Sequence, residues 1–168
     1  RSVEAIRHFR AGREGISAPA KHPPSMAGFR HILVPLDGSE VSELALAAAQ
    51  RAAQQDGQLT LIQVTDILSE HYLPDNADKE AIWEEQLARV REYLDTVKQK
   101  IVRSDLIVGT EVASGFPADV ILEMASQDGI DAVAMCTHTE SKIRKFLLGS
   151  VAQKVIDSCS VPVIVVHP

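Results

Sequence analysis

Cysteine is nearly absent from this sequence. Cys136 and Cys159 are the two present, and neither belongs to a CxxC or Cys/His ligand spacing. That argues against cysteine-based metal sites and leaves reduced, buried thiols of a cytosolic protein. His71 and His167 also stand outside any metal spacing and read as surface residues. Long apolar runs are missing as well. Nothing approaches the roughly 20 residues that cross a bilayer, so no membrane association is expected. Positive charge is scarce in the body of the chain. The formal charge is −6, and residues 1–25 hold five Lys/Arg against two acids, which leaves −9 for residues 26–168. Nucleic-acid binding draws its affinity from neutralised phosphates, so an acidic body excludes nucleic acid as a partner.

What remains is an ordinary globular composition, 45% hydrophobic and 24% charged, in 168 residues. That suffices for one domain with a substantial core. Residues 1–28 read as a flexible tail outside the fold, punctuated by Gly12, Gly15, Pro19, Pro23 and Pro24. Met26 is the candidate natural start, which would make the preceding residues an extension; Glu4 and Glu14 weaken a targeting-peptide reading. The fold is expected to occupy residues 29–168.

Within it, short apolar runs alternate with amphipathic stretches. His31–Leu36 reads as a strand buried on both faces and closed by Pro35, which cannot donate to a ladder. Asp37-Gly38-Ser39 forms the turn, with Ser39 as N-cap of a helix carrying Val41, Leu44, Ala45, Ala48 and Ala52. Asp56-Gly57 is expected to end that helix, the glycine taking the left-handed conformation. Leu59–Thr65 is the second strand. Trp83, Leu87, Val90, Leu94, Val97 and Ile101 then recur at steps of three and four, the cleanest helical stripe in the chain, suited to packing on a sheet.

Asp105–Val112 reads as the third strand, with Gly109 marking a bulge or close contact. Pro117 suits the first turn of the next helix, and Asp128-Gly129 ends it. Ile130–Cys136, a helix over Ser150–Ser160 and the strand Val161–Val166 complete the series, with Pro162 implying an edge position or a strand start. The order βαβαβαβαβ predicts an α/β fold: a single-domain, open, parallel five-stranded sheet with helices on both faces. Such sheets bind ligands beyond the carboxyl ends of their strands, where the winding reverses.

The stretch Cys136–Ser150, CTHTESKIRKFLLGS, leaves an apolar strand and enters a helix at Gly149-Ser150. Helix N-termini favour anions, and Lys142, Arg144 and Lys145 add cations just before this one. A plain helix start capped by serine needs no ligand, so the residues alone leave both readings open. Asp37 is similarly open between a nucleoside contact and an ordinary Asx turn.

HILVPLDGSE near the start, LIQVTD in the second strand and LLGSVAQKVIDSCSVPVIVV at the end together resemble the universal stress protein family across residues 29–168. The resemblance implies strand order 3-2-1-4-5. It also implies a site for ATP or AMP, with Mg²⁺, built from Pro35, Leu36, Asp37, Val64, Met135, Cys136, His138, Thr139, Lys142, Gly149, Ser150 and Val151. Nucleotide-binding members carry Gly-x2-Gly-x9-Gly-Ser/Thr. Here the first two glycines are Cys136 and Thr139, and only Gly149-Ser150 is kept. Thr139 brings a β-branched side chain where positive φ would cost on the order of 1–3 kcal/mol. Cys136 narrows the mouth of the strand, and Glu140 adds negative charge. The phosphate loop is thus degenerate, and the alternative to a nucleotide is no cofactor at all.

The family further implies a homodimer through the strand at 161–166, whose exposed edge would otherwise invite aggregation. An enzyme reading places Asp37, His138 and Ser150 together as a Ser-His-Asp set. LLGSVAQ lacks the G-x-S-x-G elbow that exposes a nucleophile, so no catalytic residue is assigned. Two readings survive: a nucleotide-binding stress-response regulator, and a dimeric interaction protein that binds no nucleotide.

Overall fold

The computed structural model describes residues 28–65, 79–127, 129–137 and 149–168. Five strands, β1 (Phe29–Leu36), β2 (Ala53–Thr65), β3 (Ile107–Ser114), β4 (Ala132–Cys136) and β5 (Val163–Val166), form one parallel sheet. Their spatial order is β3-β2-β1-β4-β5. Four helices connect or flank them: α1 (Ala45–Ala52), entered through a 3₁₀ turn at Ser42–Leu44, α2 (Lys79–Gln99), α3 (Pro117–Ser126) and α4 (Ser150–Ser158).

Side-chain alternation along the central strands builds two cores. Ile32, Val34 and Leu36 of β1, with Leu59 and Leu61 of β2, pack under α1 and α2 against Ala45, Leu46, Ala49, Leu94 and Val97. Leu33, Ile62, Val133 and Met135 face the other way, onto Ala118, Ile121, Met124 and Ala125 of α3 and Ala152 and Val155 of α4. Both faces of β1 are therefore sealed, which is why its sequence reads as a continuous apolar run. The chain winds from β1 out to β3 beneath α1 and α2, then crosses to β4 on the opposite side of β1. The reversal lies between β1 and β4.

The stripe on α2 does pack on the sheet, and most tightly at its carboxyl half. Leu94 and Val97 are fully buried, Val90 and Ile101 lie against the same core, and Trp83 and Leu87 are half-buried. Pro162 precedes β5, and β5 is an edge strand, so both expectations for that proline hold.

Several local expectations need correction. Helix α1 ends at Ala52, and β2 starts at once with Ala53, six residues earlier than the apolar run suggests. The β1–β2 register shifts between Phe29↔Ala53 and His31↔Gln58, so residues 54–57 form an irregularity within the strand. Within it Asp56, not Gly57, takes the positive φ of 55°. Gly57 is needed for space: a Cβ there would meet Gln54 O at 3.0 Å and Phe29 O and Arg30 O at 3.3 Å. At the second junction Gly129 does adopt a positive φ, 107°, while Asp128 lies outside the described residues.

The end of α1 is held from a distance. The Arg103 guanidinium donates to Gln50 O at 2.6 Å, Ala53 O at 2.7 Å and Gln54 O at 3.2 Å, and it pairs with Asp105. Gly109 is neither a bulge nor a close contact, since β3 pairs in unbroken register through it and a Cβ there would stand 3.9 Å from Thr60 Oγ1. Ser39 does not cap α1. Its hydroxyl accepts from the Ser42 N–H at 3.1 Å and so caps the 3₁₀ turn ahead of the helix. The α4 start has Gly149 at its N-cap with no side-chain capping bond, so Ser150 is the first helical residue rather than the cap.

Candidate functional site

The reversal puts the carboxyl ends of β1 and β4 side by side. Their ladder pairs Ile32↔Ala132 and Leu33↔Val133 and goes no further, whereas β1–β2 pairing continues to Leu36↔Gln63. Pro35 has no N–H with which to resume pairing toward β4. The two strand ends thus part beyond Leu33, with Pro35, Leu36 and Asp37 on one side and Met135 and Cys136 on the other.

Asp37 leaves the strand into a tightly bonded turn. Its Oδ1 accepts from the Ser39 N–H at 3.0 Å and the Ser39 hydroxyl at 2.7 Å, and Gly38 takes φ 87° between them. Ser42, buried, ties the turn to the helix by donating its hydroxyl to Ser39 O at 2.8 Å. The Asx-turn reading of Asp37 is therefore real, and it also fixes an exposed carboxylate at the rim.

Across the gap the Cys136 thiol is buried. Burial pushes its pKa up; its contact with Thr137 acts in the opposite sense, and the Asp37 carboxylate raises it further.

Met135 is buried in the α3/α4 core, and Val64 and Val151 pack against that same core. Gly149 is half-buried and Ser150 exposed at the start of α4. The structure thus brings Pro35, Leu36, Asp37, Met135 and Cys136 to adjacent strand ends, and sets Val64 and Val151 on one shared core. His138, Thr139 and Lys142, like Glu140, Arg144 and Lys145, lie outside the described residues. The same holds for His71. Exposed His167 is bonded: its Nδ1 lies 2.9 Å from Oγ1 of buried Thr137, which closes β4 against β5. Among the described residues no group of three His, Cys, Asp or Glu is arranged to hold a metal ion, and no helix is long and apolar enough to cross a membrane.

Two residues of this rim were not assigned from sequence. Gln63 Oε1 and Tyr93 OH are buried without a hydrogen-bond partner among the described residues. Burial raises the Tyr93 pKa first; nearby Ser42 opposes this, and the Glu43 and Asp37 carboxylates add to the rise. The signal for Gln63 was available: it continues the inward alternation of Leu59 and Leu61, a polar residue where the core expects an apolar one.

Comparison with known proteins agrees with this geometry. Residues 28–167 match the model of the universal stress protein family. Universal stress protein MJ0531 of Methanocaldococcus jannaschii is 34% identical over 139 residues, covering 82% of each chain. Universal stress protein YxiE of Bacillus subtilis is 29% identical over 148 residues, covering 83% of this chain and 99% of its own. Among solved structures, that of the hypothetical protein MJ0577 superposes with a TM-score of 0.71 at 23% identity, covering 83% of this chain and 96% of its own. A universal stress protein in complex with cAMP gives 0.57 at 22% identity over 83% of this chain and 98% of its own. An Arabidopsis thaliana family member with AMP bound gives 0.56 at 14% identity over 82% and 90%. The chain belongs to the universal stress protein family.

Proposed function

We propose that this protein is a stress-response regulator that holds an adenine nucleotide in the crevice between β1 and β4. The observation that carries the reading is the exposed Asp37 turn at the end of β1, beside the carboxyl end of β4, at the point where the sheet reverses and open parallel sheets take ligands. Structural relatives with cAMP and AMP bound support the ligand class.

On this reading Pro35, Leu36, Asp37 and Val64 serve the nucleoside. Met135, Cys136, His138, Thr139, Lys142, Gly149, Ser150 and Val151 serve the phosphates of ATP or AMP, with Mg²⁺ accompanying ATP. The role is regulatory and not catalytic, in the cytoplasm, and the domain is residues 29–168 with 1–28 outside it. The functional unit is a homodimer through β5, whose outer edge has no strand beside it among the described residues.

Thermal unfolding with ATP or AMP and Mg²⁺ tests this: ligand at 100 times Kd adds about 2.7 kcal/mol of stability. No shift at millimolar nucleotide would reject it. One observation favours the second reading, an interaction protein without nucleotide: the Cys136 side chain is buried at the end of β4, where the resemblance implies a glycine of the phosphate loop. Thr139→Gly tests the mechanism: affinity rises if the Thr139 side chain obstructs the phosphates, and unchanged affinity moves the obstruction to Cys136 or Glu140.

A further inference from the structure

Gln63 is the last residue of β2 to pair with β1, opposite Leu36, and so sits beside the strand end that releases Asp37. Its amide Nε2 lies 3.6 Å from where a Cβ on Gly38 would stand, so the carboxamide rests against the Asp37–Ser39 turn. The residue as a whole is half-buried, yet Oε1 is sealed from solvent with no donor among the described residues. A sealed, unpaired carbonyl costs free energy that water would otherwise supply. Tyr93 OH is the other such atom among the described residues, but Ser42 and Glu43 lie close enough to influence it. Gln63 Oε1 has no hydrogen-bond partner among the described residues.

We infer that Gln63 reads the nucleoside, its carboxamide turning toward the crevice so that Oε1 accepts a hydrogen bond from the ligand. This rests on the nucleotide-binding reading above and specifies it. The chemistry selects which part of the ligand is read. Phosphate oxygens at neutral pH are acceptors and cannot satisfy a carbonyl, whereas the exocyclic amine of adenine and the ribose hydroxyls are donors. An acceptor left unpaired in the empty site and paired in the loaded one contributes to binding through that difference. Sites built to hydrogen-bond a group discriminate strongly against analogues that lack it.

The test compares AMP, inosine monophosphate and 2′-deoxy-AMP on the wild-type protein, Gln63→Met and Gln63→Glu, by calorimetry alongside thermal melting. Wild type should prefer AMP by about tenfold over the analogue lacking the group that is read. Gln63→Met should erase that preference while melting at the same temperature or higher, because it removes an unpaired polar atom. A residue kept only for structure would lower the melting temperature and leave the preference alone. Gln63→Glu keeps an acceptor at either end and should retain the preference, and Gln63→Leu, which also removes the acceptor, takes the place of a Gln63→Met protein that fails to fold. A preference unchanged in Gln63→Met, or lost in Gln63→Glu, overturns the inference while nucleotide binding stands. Absence of AMP binding to wild type overturns both, and is recognised by the wild-type measurement alone.

Discussion

The two ends of the sheet are built differently around its central strand. At the amino end, β1 is stapled to the start of β4 by Asp131, whose carboxylate accepts from the Arg30 N–H at 3.0 Å and the His31 N–H at 2.6 Å, while its own N–H donates to His31 O at 3.0 Å. His31 Nε2 lies 2.8 Å from Thr60 Oγ1, and Arg103 closes the end of α1 nearby. At the carboxyl end the outer strands are also tied, Thr65 to Ser114 at 2.9 Å and Thr137 to His167 at 2.9 Å. The buried, unpaired atoms of Gln63 and Tyr93 lie there, around the turn that follows β1. The difference teaches that polar residues at the amino end are matched to backbone groups, whereas the centre of the carboxyl end holds Gln63 Oε1, a buried acceptor with no partner among the described residues. Satisfied bonds stabilise; unsatisfied ones are where a ligand gains most.

The comparison breaks most visibly at Asp131. Asp131→Ala removes the acceptor for two amide groups and is expected to cost about 2–4 kcal/mol in urea unfolding, with nucleotide affinity unchanged. If affinity falls as well, the two ends are not independent. At the opposite end, Cys136→Gly is expected to cost about 1–2 kcal/mol through the lost buried side chain and the added backbone freedom. It should also raise nucleotide affinity, read by titration with ATP, since the mouth of β4 is opened.

A smaller effect is set by pH. The Cys136 and Tyr93 pKa values are raised in the folded protein, chiefly by burial, so the folded state holds their protons more tightly than the unfolded state. Their contribution is complete below the ordinary thiol and phenol values and is lost as pH rises through the folded ones. Melting temperature should therefore fall on the alkaline side of pH 8.5, roughly the free thiol value, and Cys136→Ala should flatten the first part of that fall. Smallest of all is Tyr93→Phe, which removes an unpaired buried hydroxyl and should lie within about 1 kcal/mol of wild type, on the stabilising side. A clear loss of stability there would show that the hydroxyl is bonded in solution.

Much of the fold was legible locally. The apolar run of β1, the stripe Leu87–Ile101 and the proline at the start of α3 each state a periodicity or a missing donor, properties that neighbours in sequence are enough to define. The apolar run placed β2 poorly because Ala53–Gln58 joins the ladder through backbone bonds and a left-handed Asp56, not through apolar side chains. The site was legible in part: the alternation of strands and helices marked the carboxyl ends of β1 and β4 as the place to look, while Gln63 announced itself only as a polar residue out of pattern.

By itself, then, the sequence determined the alternation of strand and helix, the double-sided burial of β1 and the family. The tertiary structure decided that β1–β4 pairing ends at Leu33, that Asp131 reaches back some hundred residues to Arg30 and His31, and that Gln63 rests against the turn of Gly38. The physical reason is range. Periodicity and turn chemistry act over a few residues, whereas a partner a hundred residues distant is chosen by how whole layers pack, and no local pattern records that choice.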